Sequence, residues 1–62
     1  MSMDNEDYYY IDGVKYDILF DFKAKKQAEQ VAERVKELGF YKNVKVVYAY
    51  KENEYFVIGQ SK

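Results

Sequence analysis

A chain of 62 residues with a formal net charge of −1 and no cysteine makes one small domain that neither a disulfide nor a thiolate metal site can staple. Charges of both signs are mixed along it, so the basic excess on which sequence-independent nucleic-acid binding depends is missing. His, Cys, Trp, Thr and Pro are absent and the serines are Ser2 and Ser61, which leaves no internal nucleophile beside a base and makes enzymatic activity, a cofactor or a bound metal unexpected.

Residues 1–7 (MSMDNED) are polar and acidic, unlike a signal peptide with its basic start and apolar middle, and are expected to form a disordered tail ahead of a single domain over 8–62. No run approaches the roughly 18 apolar residues of a membrane span, so a cytoplasmic protein without membrane contact is expected. Order should begin with Tyr8–Ile11, an aromatic and β-prone strand closed by Asp12-Gly13, a strong two-residue hairpin signal. Such a turn pairs Ile11 with Val14 and Tyr9 with Tyr16. In the second strand, Val14–Phe22, the residues Val14, Tyr16, Ile18, Phe20 and Phe22 alternate with Lys15, Asp17, Leu19 and Asp21. Unbroken alternation puts one wholly apolar face under a helix and leaves a charged face around a single leucine.

Lys25–Leu38 is that helix. Ala28, Val31, Ala32, Val35 and Leu38 form one stripe on a 3.6-residue period, with charged residues mostly off it. Gly39 supplies a left-handed C-terminal cap, and Phe40 is expected to fold back on the last turn. The start is unusual: position 24 is Ala, which cannot accept a hydrogen bond from the first amides, and Lys23, Lys25 and Lys26 crowd an end whose dipole disfavours cations. Asp21 is the alternative cap.

A link over 40–43 leads to a third strand over 44–50, a turn around Glu52-Asn53, and a fourth strand over 55–60. A two- or four-residue loop places Val44, Val46, Tyr48, Tyr50, Tyr55 and Val57 on one side and Val47, Ala49, Phe56 and Ile58 on the other, whereas a three-residue loop exchanges the faces of the last strand. Because Tyr55-Phe56-Val57-Ile58 is apolar on both faces it suits an interior strand. The expected fold is α+β, ββαββ, with one helix on a mostly antiparallel four-stranded sheet in the order 1-2-4-3, the alternative being 1-2-3-4.

Residues 18–22, the segment KKQAEQVAERVKELGF and the run Val44-Lys45-Val46-Val47 together resemble the strand-helix-strand half of an SPOR-type domain, the bacterial septal module that binds peptidoglycan, and small ferredoxin-like domains more widely. The likeness covers about half the chain and implies local topology only, since the second helix of the SPOR family is missing here and no binding residue carries over. The style of the sequence also resembles small proteins of hyperthermophilic archaea and their viruses. Its Lys, Glu, Tyr, Val and Ile bias implies thermostability, a bias that an idealised designed sequence shares.

Three readings of function follow. Leu19, Val47, Ala49, Phe56 and Ile58 are expected on the sheet face away from the helix, ringed by Lys15, Asp17, Asp21, Lys45, Lys51 and Glu54; an apolar centre with a charged rim is how a protein contact looks. A homodimer through that face would offset the thin stability of a chain that buries only about 60% of its extended surface. A small regulatory or host-targeting module that acts by blocking a partner is therefore the leading reading. The second is an anion or nucleic-acid site at Lys23, Lys25 and Lys26, where uncapped amides meet cations. Tyr8, Tyr10, Lys15 and Lys45 extend it to base stacking if they share the uncovered face. The third is a stable scaffold without an evolved ligand. Asp17 and Asp21, on one strand face but roughly 13 Å apart, are too distant to share a proton or a metal.

Overall fold

The computed structural model describes residues 8–62, so the expected tail over 1–7 lies outside the described residues. Strand β1 (Tyr8–Ile11), strand β2 (Val14–Phe22), helix α1 (Lys25–Leu38), strand β3 (Tyr41–Ala49) and strand β4 (Glu54–Ser61) follow one another as ββαββ. The strands form one sheet in the order β1-β2-β4-β3. Because β4 pairs antiparallel with both β2 and β3, those two run parallel to each other on either side of it. The crossover helix accounts for this: β2 and β3 must leave and enter the same layer in one direction, and the last strand fills the gap between them.

The first hairpin follows from two residues. Asp12 and Gly13 both hold positive φ, 52° and 81°, the type I′ geometry whose twist matches the flanking strands, and the register pairs Ile11 with Val14 and Tyr9 with Tyr16 as the sequence predicts. The second hairpin closes through Tyr50, Lys51, Glu52 and Asn53, with Asn53 in the left-handed region at φ 58° and its N–H donating to the Ala49 carbonyl at 2.7 Å. Four loop residues keep Tyr48 opposite Tyr55 and Val46 opposite Val57, so the expected faces of β3 and β4 hold. The third strand begins earlier than expected, at Tyr41, because an extra residue around Asn43 (φ 53°) is absorbed as a bulge between Lys42 and Lys45.

A second bulge reorganises the core. In β2, Ile18 pairs with Ile58 but Phe20 pairs with Val57, so one residue is inserted at Leu19 and the alternation breaks there. Leu19 and Phe22 consequently pack beneath α1 with Ala28, Ala32, Val35, Val44 and Val57, while Tyr16 and Ile18 pack on the opposite face with Ala49, Phe56 and Ile58. The apolar stripe expected to lie wholly under the helix is thus divided between the two sides. Asp17 and Asp21 are separated by the same insertion, since Asp17 pairs with Gly59 and Asp21 with Phe56, positions on opposite faces of β4.

Both faces are closed by side chains. Val57 and Ile58 are adjacent in β4, point to opposite sides, and are each 0% exposed. On the face without a helix, Tyr9 of β1 meets Phe56 of β4 edge to face at 6.2 Å across the intervening β2. Strands two apart in a flat sheet would not bring these rings together; the added twist at the bulge does. Lys45 lays its stem over the same side, its ammonium 5.1 Å from the centre of the Tyr16 ring and 3.5 Å from the Tyr16 hydroxyl. On the other side the buried face of α1 is made of Ala28, Ala32 and Val35, small residues that let the helix sit close upon the sheet.

Candidate functional site

The width of one helix decides where apolar surface is left over. Helix α1 lies chiefly over β3 and β4 and reaches β2 with fewer contacts. The flank of β2 on the helix side and the end of α1 therefore bound an open groove of about 270 Å³, lined by Leu19, Phe20, Val31, Val35, Leu38 and Phe40, with Arg34 and Tyr41 at its edges. Phe20 is 49% exposed, Leu38 59% and Phe40 70%, all large apolar side chains held at its mouth.

Local sequence explains each position. The bulge turns Leu19 and Phe20 toward the helix side together, and Phe20 stacks on Phe22 with ring centres 6.4 Å apart. Leu38 is the last helical residue, and Gly39, at φ 78° with its N–H donating to the Val35 carbonyl at 3.4 Å, turns the chain so that Phe40 joins Leu38 at the groove. One expectation is corrected here: Leu38, though on the helical stripe, is not a core residue, and Phe40 stays largely exposed beside it.

Among the residues expected at a protein interface, Val47, Ala49, Phe56 and Ile58 do gather on the face away from the helix. They are, however, buried or half-buried against Tyr9, Ile11, Tyr16 and Ile18, so that face offers no open apolar centre. Leu19 lies on the opposite side, in the groove. A lone Leu among the charged positions of β2 was the available sign that the alternation does not run through.

The three lysines at the helix start are only partly free. Lys23 pairs with Glu54 at 3.4 Å and Lys25 with Glu29 at 3.9 Å, while Lys26 lines a shallow, mixed-charge groove between α1 and β3 together with Glu29, Glu33, Lys36 and Lys45. The start itself is as expected: Ala24 has the extended backbone of an N-cap (φ −106°, ψ 131°), no side-chain cap is made, and the first turn contains no acidic residue. Asp21 does not cap it; it pairs with Phe56 within the sheet. The proposed stacking set divides, with Lys15 lying 3.9 Å over the ring of Tyr8 on the helix side of the sheet and Lys45 on the other side over Tyr16.

A third cluster joins three tyrosines that the four-residue loop was expected to put on one side. Tyr48 packs against Tyr50 and Tyr55 at 5.2 and 5.0 Å, and the Tyr48 hydroxyl donates to the Asn53 side chain, so three rings buttress the second hairpin. Its signal was the i, i+2 spacing of Tyr48 and Tyr50 beside a turn. Among the described residues no group of three or more His, Cys, Asp or Glu side chains is placed to hold a metal ion, and no helix is long and apolar enough to cross a membrane. Comparison of the chain with family models, curated proteins and solved structures finds no match.

Proposed function

We propose that this chain is a small non-enzymatic binding module that works through a protein-protein surface, and that the surface is the groove bounded by Phe20, Leu38 and Phe40. The observation that carries the reading is the exposure of three large apolar side chains around one concavity, at positions where a strand flank and a helix end could equally have carried Lys or Glu. Isolated exposed apolar residues are ordinary on soluble proteins; a contiguous set lining a groove is the pattern of a contact surface. Binding through the lysines at the helix start is less supported, because Lys23 and Lys25 already have carboxylate partners.

Site-specific photo-crosslinking tests the reading. A photo-activatable residue at Leu38 should give adducts with polypeptide when the chain is expressed in cells. The same residue at Tyr50, an exposed side chain remote from the groove in the second hairpin, should give few. Equal or absent polypeptide adducts from the two positions would remove the groove as a binding surface.

A further inference from the structure

Resting on that reading, we infer that the occupant of the groove is a second copy of this chain, packed about a two-fold axis that passes through the groove. Area is the first reason. Tyr8 and Tyr10 of β1 pair with Asp17 and Lys15 of β2, on the same side of the sheet as Leu19, and extend the apolar surface beyond Phe20. With about 150–250 Å² for a whole aromatic side chain, the exposed parts of Tyr8, Tyr10, Phe20, Leu38 and Phe40 amount to on the order of 500 Å². A stable interface of ordinary size takes about 800 Å² from each partner, of which roughly 60% is apolar, so this one face supplies about the apolar share that a stable dimer needs.

The charges at the rim give the second reason and suit a two-fold arrangement. On the helix side the rim carries Arg34, whose guanidinium is loosely paired with Glu37 at 3.8 Å with both side chains about three-quarters exposed. On the sheet side it carries Asp17, opposite Gly59, whose Cβ position lies 3.5 Å from Leu19. A rim of one sign would ask for a partner of the other sign. This rim carries both signs on each side, Arg34 with Glu37 along the helix and Asp17 beside Lys15 along the strand, and a two-fold axis between them brings the Arg34 of each copy to the Asp17 of the other. An isologous contact requires such self-complementarity, in which residue i meets j and j meets i. Phe40 serves the same contact: 70% exposed at the mouth of the concavity, it is placed to meet the other copy.

Sedimentation equilibrium of the whole chain over two decades of concentration is the first test. The mass should rise from 7.5 kDa toward twice that value; a strict monomer throughout overturns the proposal. Phe40→Glu should weaken self-association by about tenfold or more, as loss of a central aromatic anchor does, with an unchanged circular dichroism spectrum, whereas Tyr50→Glu should leave it as it was. A dimer that survives Phe40→Glu unchanged would overturn the placement. Charge reversal tests the axis: Arg34→Asp and Asp17→Arg should each dimerise poorly alone, because each brings two like charges together across the contact. An equimolar mixture should form a heterodimer, because both contacts are then of opposite sign. If neither variant loses association, or if mixing restores nothing, the two-fold arrangement is wrong. The outcomes remain distinguishable from those of the preceding section: a monomer that still crosslinks from Leu38 to another polypeptide keeps the groove as a binding surface and removes only self-association.

Discussion

The start of α1 offers the cleanest perturbation, because the backbone is already arranged for a cap and only the side chain is missing. Ala24 has φ −106° and ψ 131°, the extended conformation of an N-cap, and its own carbonyl already accepts from the Ala28 N–H at 3.2 Å. Ala24 is exposed, so replacing it removes no core contact. Ala24→Ser places an oxygen within reach of the Lys26 or Gln27 amide and should stabilise the fold by about 1 kcal/mol. Ala24→Asp adds a negative charge to the positive end of a helix whose first turn has no acid and whose neighbours are Lys23, Lys25 and Lys26, for a further ~0.3–1 kcal/mol. For a domain of this size each kcal/mol raises Tm by roughly 4–8 °C. Thermal unfolding followed by circular dichroism, at one protein concentration throughout, reads both. Added salt should erode the extra stability of the Asp variant, which is Coulombic, and spare most of what the Ser variant gains. If neither substitution raises Tm, the first amides are already satisfied and the helix start is not the uncapped end described above.

Further outcomes test the two-sided core and its turns. Ile58→Ala should cost about 2–5 kcal/mol and at least as much as Val57→Ala, measured by urea unfolding, although Ile58 faces away from the only helix of the described residues; a cost near zero would mean that its face is not a core. With total stability of about 3–9 kcal/mol expected for so short a chain, that variant should sit close to the unfolding threshold at ambient temperature. Gly39→Ala forces a side chain into φ 78° and should lower stability by about 1 kcal/mol, whereas Gly39→Asn should cost less. At Gly59 an added Cβ would sit 3.2 Å from Val44 and 3.3 Å from the Cβ of Tyr41, so Gly59→Val should overpack by about 1–3 kcal/mol or more in the same assay.

The sheet order was legible because β4 has no polar face: Val57 and Ile58 both need burial, and only an interior position gives it to both. The first hairpin was equally legible, since Asp12-Gly13 admits few turns and each turn fixes a register. What alternation alone could not show was the insertion at Leu19. A bulge costs the sequence one residue and leaves no motif, and reading across it moved Tyr16 and Ile18 to the wrong side and Leu19 to the wrong cluster. The candidate contact face is less open than alternation suggests for a second reason. The residues named for a protein contact were correctly grouped, apart from Leu19, but coiling of the sheet closes the face they occupy, and sheet coiling is a tertiary property with no local signature.

Those two effects together account for the groove. An α-helix with its side chains is about 10 Å across, whereas four strands at ~4.8 Å spacing span roughly 15–19 Å, so one helix covers little more than half of this sheet. On one side the chain resolves the shortfall by curling β1 toward β4 and closing the face with Tyr9, Tyr16 and Phe56. On the other side α1 is drawn over β3 and β4 by its small buried residues, and the flank of β2 must remain uncovered. Solubility alone would favour charged residues along such a flank, as they are favoured on the outer face of α1. The chain instead places Phe20 there by a bulge and adds Leu38 and Phe40 beside it from the end of the helix. Geometry makes an uncovered strip unavoidable; the choice of side chains in that strip is what supports the proposal that it is a surface for binding.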